Sequence, residues 1–283
     1  MTLEFDHVNC IYDAETNQPV KALSDVSLTI GGGEFIGLIG HTGSGKSTLM
    51  QHANGLLKPT GGRILADGTD IWSRDYDRRS LRARVGLVFQ YPEHQLFETD
   101  VLTDVCFGPK NLGKSAKDAE ALAKEALEQV GIDKSQFALS PFELSGGQKR
   151  RVAIAGVLSM QPEILILDEP TAGLDPRGRK EILSLVKRLH REKGITVVLV
   201  SHSMEDVARF ADRILVMDHG ALLLNESPAS IFSRRETLQQ IGLNIPETLL
   251  LLDELRRAGL GTDDPAMPLT PEDTAEVILS WLQ

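Results

Sequence analysis

Gly40-His41-Thr42-Gly43-Ser44-Gly45-Lys46-Ser47-Thr48 is the stretch whose reading decides the fold of this chain. It matches G-x-x-x-x-G-K-[ST], a loop that grips phosphate. The flanks are those such a loop requires: residues 34–39 read as a short buried strand, and residues 47–52 as the opening of a helix. Glycines let the chain curl until successive N–H groups point inward, where a polyphosphate can accept hydrogen bonds from them. The helix start adds unpaired N–H groups and a partial positive charge. Lys46 supplies a full charge for the β- and γ-phosphates of a nucleotide. The Ser47 hydroxyl is placed to ligate Mg²⁺, and Thr48 reaches a phosphate nearer the ribose.

Toward the N-terminus, residues 3–12 alternate apolar and polar and read as a strand that ends at Tyr12. Residues 13–20 read as a turn and 21–30 as a second strand region. Gly31-Gly32-Gly33 is a tight turn into the strand before the phosphate loop. Beyond the loop, residues 61–68 read as a strand between turns, and 84–90 as a buried strand stopping at Gln90. From about residue 99 to 160 the character changes. Residues 116–130 carry apolar side chains at helical spacing, with Gly131 just past the end. Strands return over 163–167, 195–201 and 213–217, separated by helices at about 176–193 and 203–210. This alternation predicts an α/β fold with a mainly parallel sheet covered on both faces. After Ile231 the pattern weakens into two amphipathic helices, one from Pro246 and one capped by Thr270 with Pro271 at its first position. A loop rich in Gly, Asp and Pro lies between them.

The 283 residues suit one large domain with an appendage, or two domains. A net charge of −10 argues against a nucleic-acid partner, whose backbone is met by basic surfaces. Cys10 and Cys106 have neither metal-ligand spacing nor a disulfide framework, which fits a reducing compartment. Residues 1–6 lack the features of a secretory leader, and no apolar run approaches the roughly 20 residues of a membrane span. Action at a membrane therefore calls for another subunit that crosses it.

A second phosphate-seeking element is Leu144-Ser145-Gly146-Gly147-Gln148, ahead of a helix over 149–160. Ser145 is a good cap and the glycines expose backbone N–H groups. Then Ile164-Leu165-Ile166-Leu167-Asp168-Glu169 brings two carboxylates to the C-terminal end of a buried strand, the edge where open α/β sheets bind ligands. The pair suits two roles, Asp168 in the Mg²⁺ shell and Glu169 orienting or deprotonating water.

The phosphate loop, Gln90, residues 144–148, Asp168-Glu169, Asp175 and His202, in that order, resemble the ATP-binding cassette (ABC) ATPases over roughly residues 3–230. The resemblance implies a P-loop NTPase cassette with a RecA-like core sheet, an antiparallel β subdomain and an inserted helical subdomain at about 99–160. Residues 231–283 would be a short C-terminal helical extension. It implies ATP and Mg²⁺ as ligands, with Gln90 joining Ser47 and Asp168 around the metal. Glu169, His202 and Gln90 take catalytic roles, His202 as the switch histidine. Tyr12 matches the aromatic that stacks on adenine. Residues 144–148 form the family signature and Ala172-Gly173-Leu174-Asp175 the loop crossing a dimer seam. In such proteins two chains pack head to tail, and Ser145 and Gly147 of one complete the γ-phosphate site of the other.

Narrower stretches, among them Val88-Phe89-Gln90-Tyr91-Pro92-Glu93-His94-Gln95-Leu96-Phe97 and Ser140-Pro141-Phe142-Glu143 before the signature, resemble the ATPases of energy-coupling factor transporters, in particular the second of their two non-identical ATPases. That resemblance implies an importer of vitamins or other micronutrients. The implied partners are a second ATPase, a transmembrane coupling protein and a membrane substrate-binding protein, at the cytoplasmic face of the membrane. The segment after Gln90 would face the coupling protein, and the C-terminal helices would join the two ATPases or pack on their own chain. Cobalt and nickel importers have closely similar ATPases, and a soluble ABC ATPase outside transport is a further alternative. Whether the paired ATPase is an identical chain stays open.

Overall fold

In the computed structural model, which describes residues 1–13, 18–261 and 267–281, the chain opens with two long strands, β1 (Thr2–Tyr12) and β2 (Val20–Gly31). They pair antiparallel, with Leu3 opposite Ile30 and Tyr12 opposite Val20. β3 (Phe35–Ile39) leads into the phosphate loop and α1 (Lys46–Ala53). β4 (Gly61–Ala66) and β5 (Thr69–Asp70) then rejoin the first pair in an antiparallel sheet of order β2-β1-β4-β5. α2 (Arg78–Arg84) and β6 (Val85–Val88) follow. Three helices, α3 (Val101–Asn111), α4 (Ala116–Gln129) and α5 (Gly146–Leu158), are inserted before β7 (Ile164–Asp168). The chain continues through α6 (Pro176–Lys193), β8 (Thr196–Val200), α7 (Met204–Phe210), β9 (Arg213–Asp218) and β10 (Ala221–Glu226). It closes with α8 (Pro228–Ser233), α9 (Arg235–Gln240), α10 (Glu247–Arg257) and α11 (Pro271–Trp281).

The second sheet has the order β10-β9-β3-β8-β7-β6, with every pair from β9 to β6 parallel. Its central strands β3 and β8 are buried at every position because both faces are covered. Leu165 and Leu167 of β7 enter one core with α3 to α6, while Ile164 and Ile166 enter another with α1 and the antiparallel sheet. The period of two thus splits one apolar run between two cores. This is the α/β architecture that the strand–helix alternation predicts.

Some elements depart from the sequence reading. β10, α8 and α9 were not expected. β10 pairs antiparallel with β9 through a two-residue turn and forms the edge of the sheet, with its side chains half-buried or exposed. β6 ends at Val88, two residues before Gln90, and α5 starts at Gly146 rather than Lys149. The middle of the expected 13–20 turn and residues 262–266 of the Gly, Asp and Pro loop lie outside the described residues. Residues 231–252 share a core with β9 and α7: Ile231, Phe232, Leu238, Leu243, Ile245, Leu249 and Leu252 pack there with Val207 and Val216. The first part of the extension is therefore built onto its own chain.

Candidate active site

β3 delivers the chain to Gly40, where a side chain has no room. A Cβ would lie 2.4 Å from the Met217 carbonyl oxygen and 2.5 Å from Ser44 Oγ, and φ is +154°. Gly45, at φ +100°, would press a Cβ within 2.6 Å of the Ala22 carbonyl. Glycine at both positions lets the loop fold over the end of β3. The Ser44 N–H donates to the His41 carbonyl (3.1 Å), and the Gly220 N–H donates to the Ser44 carbonyl (3.0 Å), which ties the loop to the β9–β10 turn. No side chain caps α1, so its first N–H groups open into the loop. Buried Lys46 donates from Nζ to the carbonyls of Gly40 (2.8 Å) and His41 (2.9 Å). Burial lowers its pKa, and the carboxylates of Glu169 and Asp168 oppose that shift. Thr42 and Gly43 sit exposed at the tip.

Parallel strands bring their C-terminal ends to one edge, and every other predicted catalytic side chain leaves the sheet there. Gln90 follows β6, Asp168 ends β7, Glu169 comes next, and His202 lies two residues past β8. The Glu169 carboxylate is gripped from both sides: Gln90 Nε2 donates to Oε2 (3.0 Å), and His202 Nε2 meets Oε1 at 2.6 Å. Glu169 also has a left-handed backbone, φ +48°, anchored by its N–H to the Val200 carbonyl (3.1 Å). Such a conformation costs a non-glycine residue roughly 1–3 kcal/mol and collects at functional sites. Asp168 accepts a hydrogen bond from the Ser47 side chain. Burial raises its pKa, Ser47 acts against that, and Glu169 adds to it. Two hard oxygen donors thus meet beside the phosphate loop, a donor set that fits Mg²⁺, which takes one or two protein ligands and leaves the rest to water and phosphate.

Tyr12, at the end of β1, is 38 % exposed, and its hydroxyl lies 3.2 Å from Thr48 Oγ1, so an open aromatic face stands beside the loop. Leu144 is buried, whereas Ser145 and Gly146 are exposed at the start of α5. Ser145 and Gln148 form a capping box: the Gln148 N–H donates to Ser145 Oγ (3.3 Å) and the Ser145 N–H to Gln148 Oε1 (2.9 Å). A Cβ on Gly146 or Gly147 would meet nothing within 4 Å, and neither has a positive φ. Nothing among the described residues asks for glycine there. Asp175 is the N-cap of α6, accepting from the Gly178 N–H at 2.8 Å.

Sequence reading passed over Arg150. Its guanidinium is buried and makes a bidentate pair with Glu93 (2.7 and 3.1 Å). It also donates to the carbonyls of Pro170 (3.0 Å) and Ala172 (2.8 Å). One side chain joins the signature helix, the segment after Gln90 and the loop after Glu169. Its neighbours Lys149 and Arg151 are cations too, so the local pattern does not single it out.

A glycine-lined phosphate loop, a strand-end carboxylate pair and a capped second glycine element define a nucleotide-hydrolysing P-loop cassette. The family described as ABC transporter matches residues 23–172. The energy-coupling factor transporter ATP-binding protein EcfA2 of Symbiobacterium thermophilum is 57% identical over 259 residues, 92% of this chain and 90% of that one. Among solved structures, cbiO1 from Clostridium perfringens, part of the ABC transporter complex cbiONQ, superposes with a TM-score of 0.74 at 38% identity, covering 89% of this chain and 98% of that one. A dimeric ATP-binding cassette in a post-hydrolysis state, bound to ADP and Pi, gives a TM-score of 0.69 at 31% identity, covering 80% and 98%. The chain belongs to the ABC transporter ATPases and, within them, to the energy-coupling factor ATP-binding proteins.

Proposed function

We propose that this chain binds MgATP on the phosphate loop and hydrolyses it across a seam with a second ATPase, energising an energy-coupling factor importer. Its Gln90 and His202 grip on Glu169, on the same edge as Lys46, carries this reading. The loop N–H groups and Lys46 hold the phosphates, and Tyr12 offers its ring to adenine. Ser47, Asp168 and Gln90 would hold Mg²⁺, which neutralises charge developing on the β- and γ-phosphate oxygens. Glu169 orients water for in-line attack on the γ-phosphorus and takes its proton as the bond to the β-phosphate oxygen breaks. His202 holds the carboxylate in place.

Exposed Ser145 and Gly146 and half-buried Gly147 support the seam. Glycines without an internal reason suit close approach by a phosphate held on the other ATPase. Asp175 would sit at the same seam. Leu250 and Leu251 of α10 and Leu279 of α11 are exposed, which supports contact between the two ATPases through the extension. No helix among the described residues is long and apolar enough to cross a membrane, so the reading requires a transmembrane coupling protein and a membrane substrate-binding protein, with this chain on the cytoplasmic face.

The test is Glu169→Gln in the assembled complex. It should keep MgATP binding and lose roughly 10²–10⁴-fold in phosphate release, the usual worth of a general base. Turnover at the native rate would remove Glu169 from this role. Pull-down from a detergent extract should return membrane subunits together with a second ATPase.

A further inference from the structure

Beside the phosphate loop, His41, Asp218 and His219 place one ligand atom each within 4.8 Å of the others. None of the roles above uses this cluster. We propose that it is a site for a borderline divalent transition-metal ion such as Zn²⁺, clamping the phosphate loop to the β9–β10 turn.

The hydrogen bonding of His41 points to a cation. Its Nδ1 lies 2.8 Å from the Thr42 carbonyl oxygen, which can only accept, so Nδ1 carries the proton. In a neutral ring Nε2 then carries a lone pair, yet it faces the Asp218 carboxylate oxygen at 3.1 Å. Two acceptors would then face each other, which either a second ring proton or a metal ion between them resolves, and the second imidazole, His219, beside the same carboxylate suits the metal. His219 Nε2 stands 3.8 Å from the same carboxylate oxygen, and the two imidazole centroids are 4.9 Å apart. Ligands about 2.0–2.1 Å from a tetrahedral zinc ion stand ~3.3 Å from one another, so modest side-chain rotation closes the set. Two imidazoles and a carboxylate suit zinc and discriminate against Mg²⁺, which demands oxygen.

The turn itself gives a second reason. Asp218 pairs with Ala221, and His219 (φ +44°) and Gly220 (φ +82°) both lie in the left-handed region, as in a type I′ hairpin. Asn, Asp or Gly is the ordinary choice at the first of these positions, so a histidine there is explained by what its side chain does. That side chain is 85 % exposed, which leaves an ion accessible and its fourth position to water. The Gly220 N–H bond to the Ser44 carbonyl already couples this turn to the loop, so a bound ion would brace the phosphate grip from the sheet side.

Calorimetric titration of Zn²⁺ into the untagged full chain, in excess Mg²⁺ near neutral pH, tests this. Wild type should bind one equivalent, and Co²⁺ in its place should give the visible absorption of a tetrahedral ion. His219→Asn keeps a residue suited to the turn and removes the ligand. It should lose more than the roughly 10- to 100-fold in affinity that an outer-sphere partner costs, while MgATP binding without zinc stays unchanged. Absence of stoichiometric Zn²⁺ binding by wild type would overturn the proposal. So would unchanged affinity in a His219→Asn protein with a native circular dichroism spectrum, because the zinc would then sit elsewhere, for example on His202 and Glu169.

Discussion

Replacing Arg150 with alanine removes a side chain that ties the signature helix to two other segments of the catalytic edge. The loss can be worked from its contacts. The Glu93 carboxylate loses a bidentate partner at 2.7 and 3.1 Å, and the carbonyls of Pro170 and Ala172 lose their donor. Breaking a buried ion pair by removing one partner costs about 3–5 kcal/mol, much of it from the charge left behind. Glu93 keeps some contact with water, its side chain being 18 % exposed, so the lower part of that range, about 3 kcal/mol, is expected. Denaturant unfolding of the full chain measures it. Arg150→Lys should recover part of the loss, since an ammonium restores charge but not the planar fork. The pH dependence is a sharper check. Burial pushes the Glu93 carboxyl up, but hydrogen bonding and charge from Arg150 override this and hold it below its usual range. A depressed carboxyl contributes stability above its unfolded pKa, about 4.3, and loses it as pH falls through the folded value. The gap between wild type and Arg150→Ala should therefore shrink in acid. A destabilisation under about 1 kcal/mol, or one that stays constant into acid, would refute the reasoning.

Other outcomes follow from the same contacts. Lys46→Ala should weaken nucleotide binding by about 1.5–3 kcal/mol, the worth of charge-assisted hydrogen bonds, read by equilibrium titration with a fluorescent ATP analogue. Tyr12→Ala should cost adenine nucleotides roughly 0.5–1.5 kcal/mol of stacking, and Tyr12→Phe should restore it, since the ring rather than the hydroxyl does the work. Burial raises the Asp168 carboxyl, so folding favours its protonated form, and ionisation costs stability as pH rises from the unfolded pKa through the folded one. Asp168→Asn should therefore raise the unfolding midpoint of the nucleotide-free protein at neutral pH, lose that advantage below about pH 4, and abolish hydrolysis.

Much of the site was legible in the chain because its parts are local. A glycine loop between a strand and a helix is written in nine consecutive residues. The carboxylates of Asp168 and Glu169 announce themselves by ending an apolar run. Ser145 caps α5 through its own neighbour three residues on. The series of motifs in order, and the resemblance it carries, reached the family that the comparisons show. β10 was not legible, because its four apolar residues, 221–224, do not alternate and fit a helical turn as well as a strand, and the pairing that makes it a strand comes from β9.

By itself, then, the sequence determined which chemical groups exist and which short elements carry them, since spacing and capping act over a few residues. Tertiary structure alone decided which groups meet. Gln90 reaches Glu169 across 79 positions, Arg150 reaches Glu93 across 57, and His41 reaches Asp218 across 177. Each contact depends on the strand order β10-β9-β3-β8-β7-β6. That order is settled by how three cores pack around one sheet, a balance over the whole chain that no local window contains.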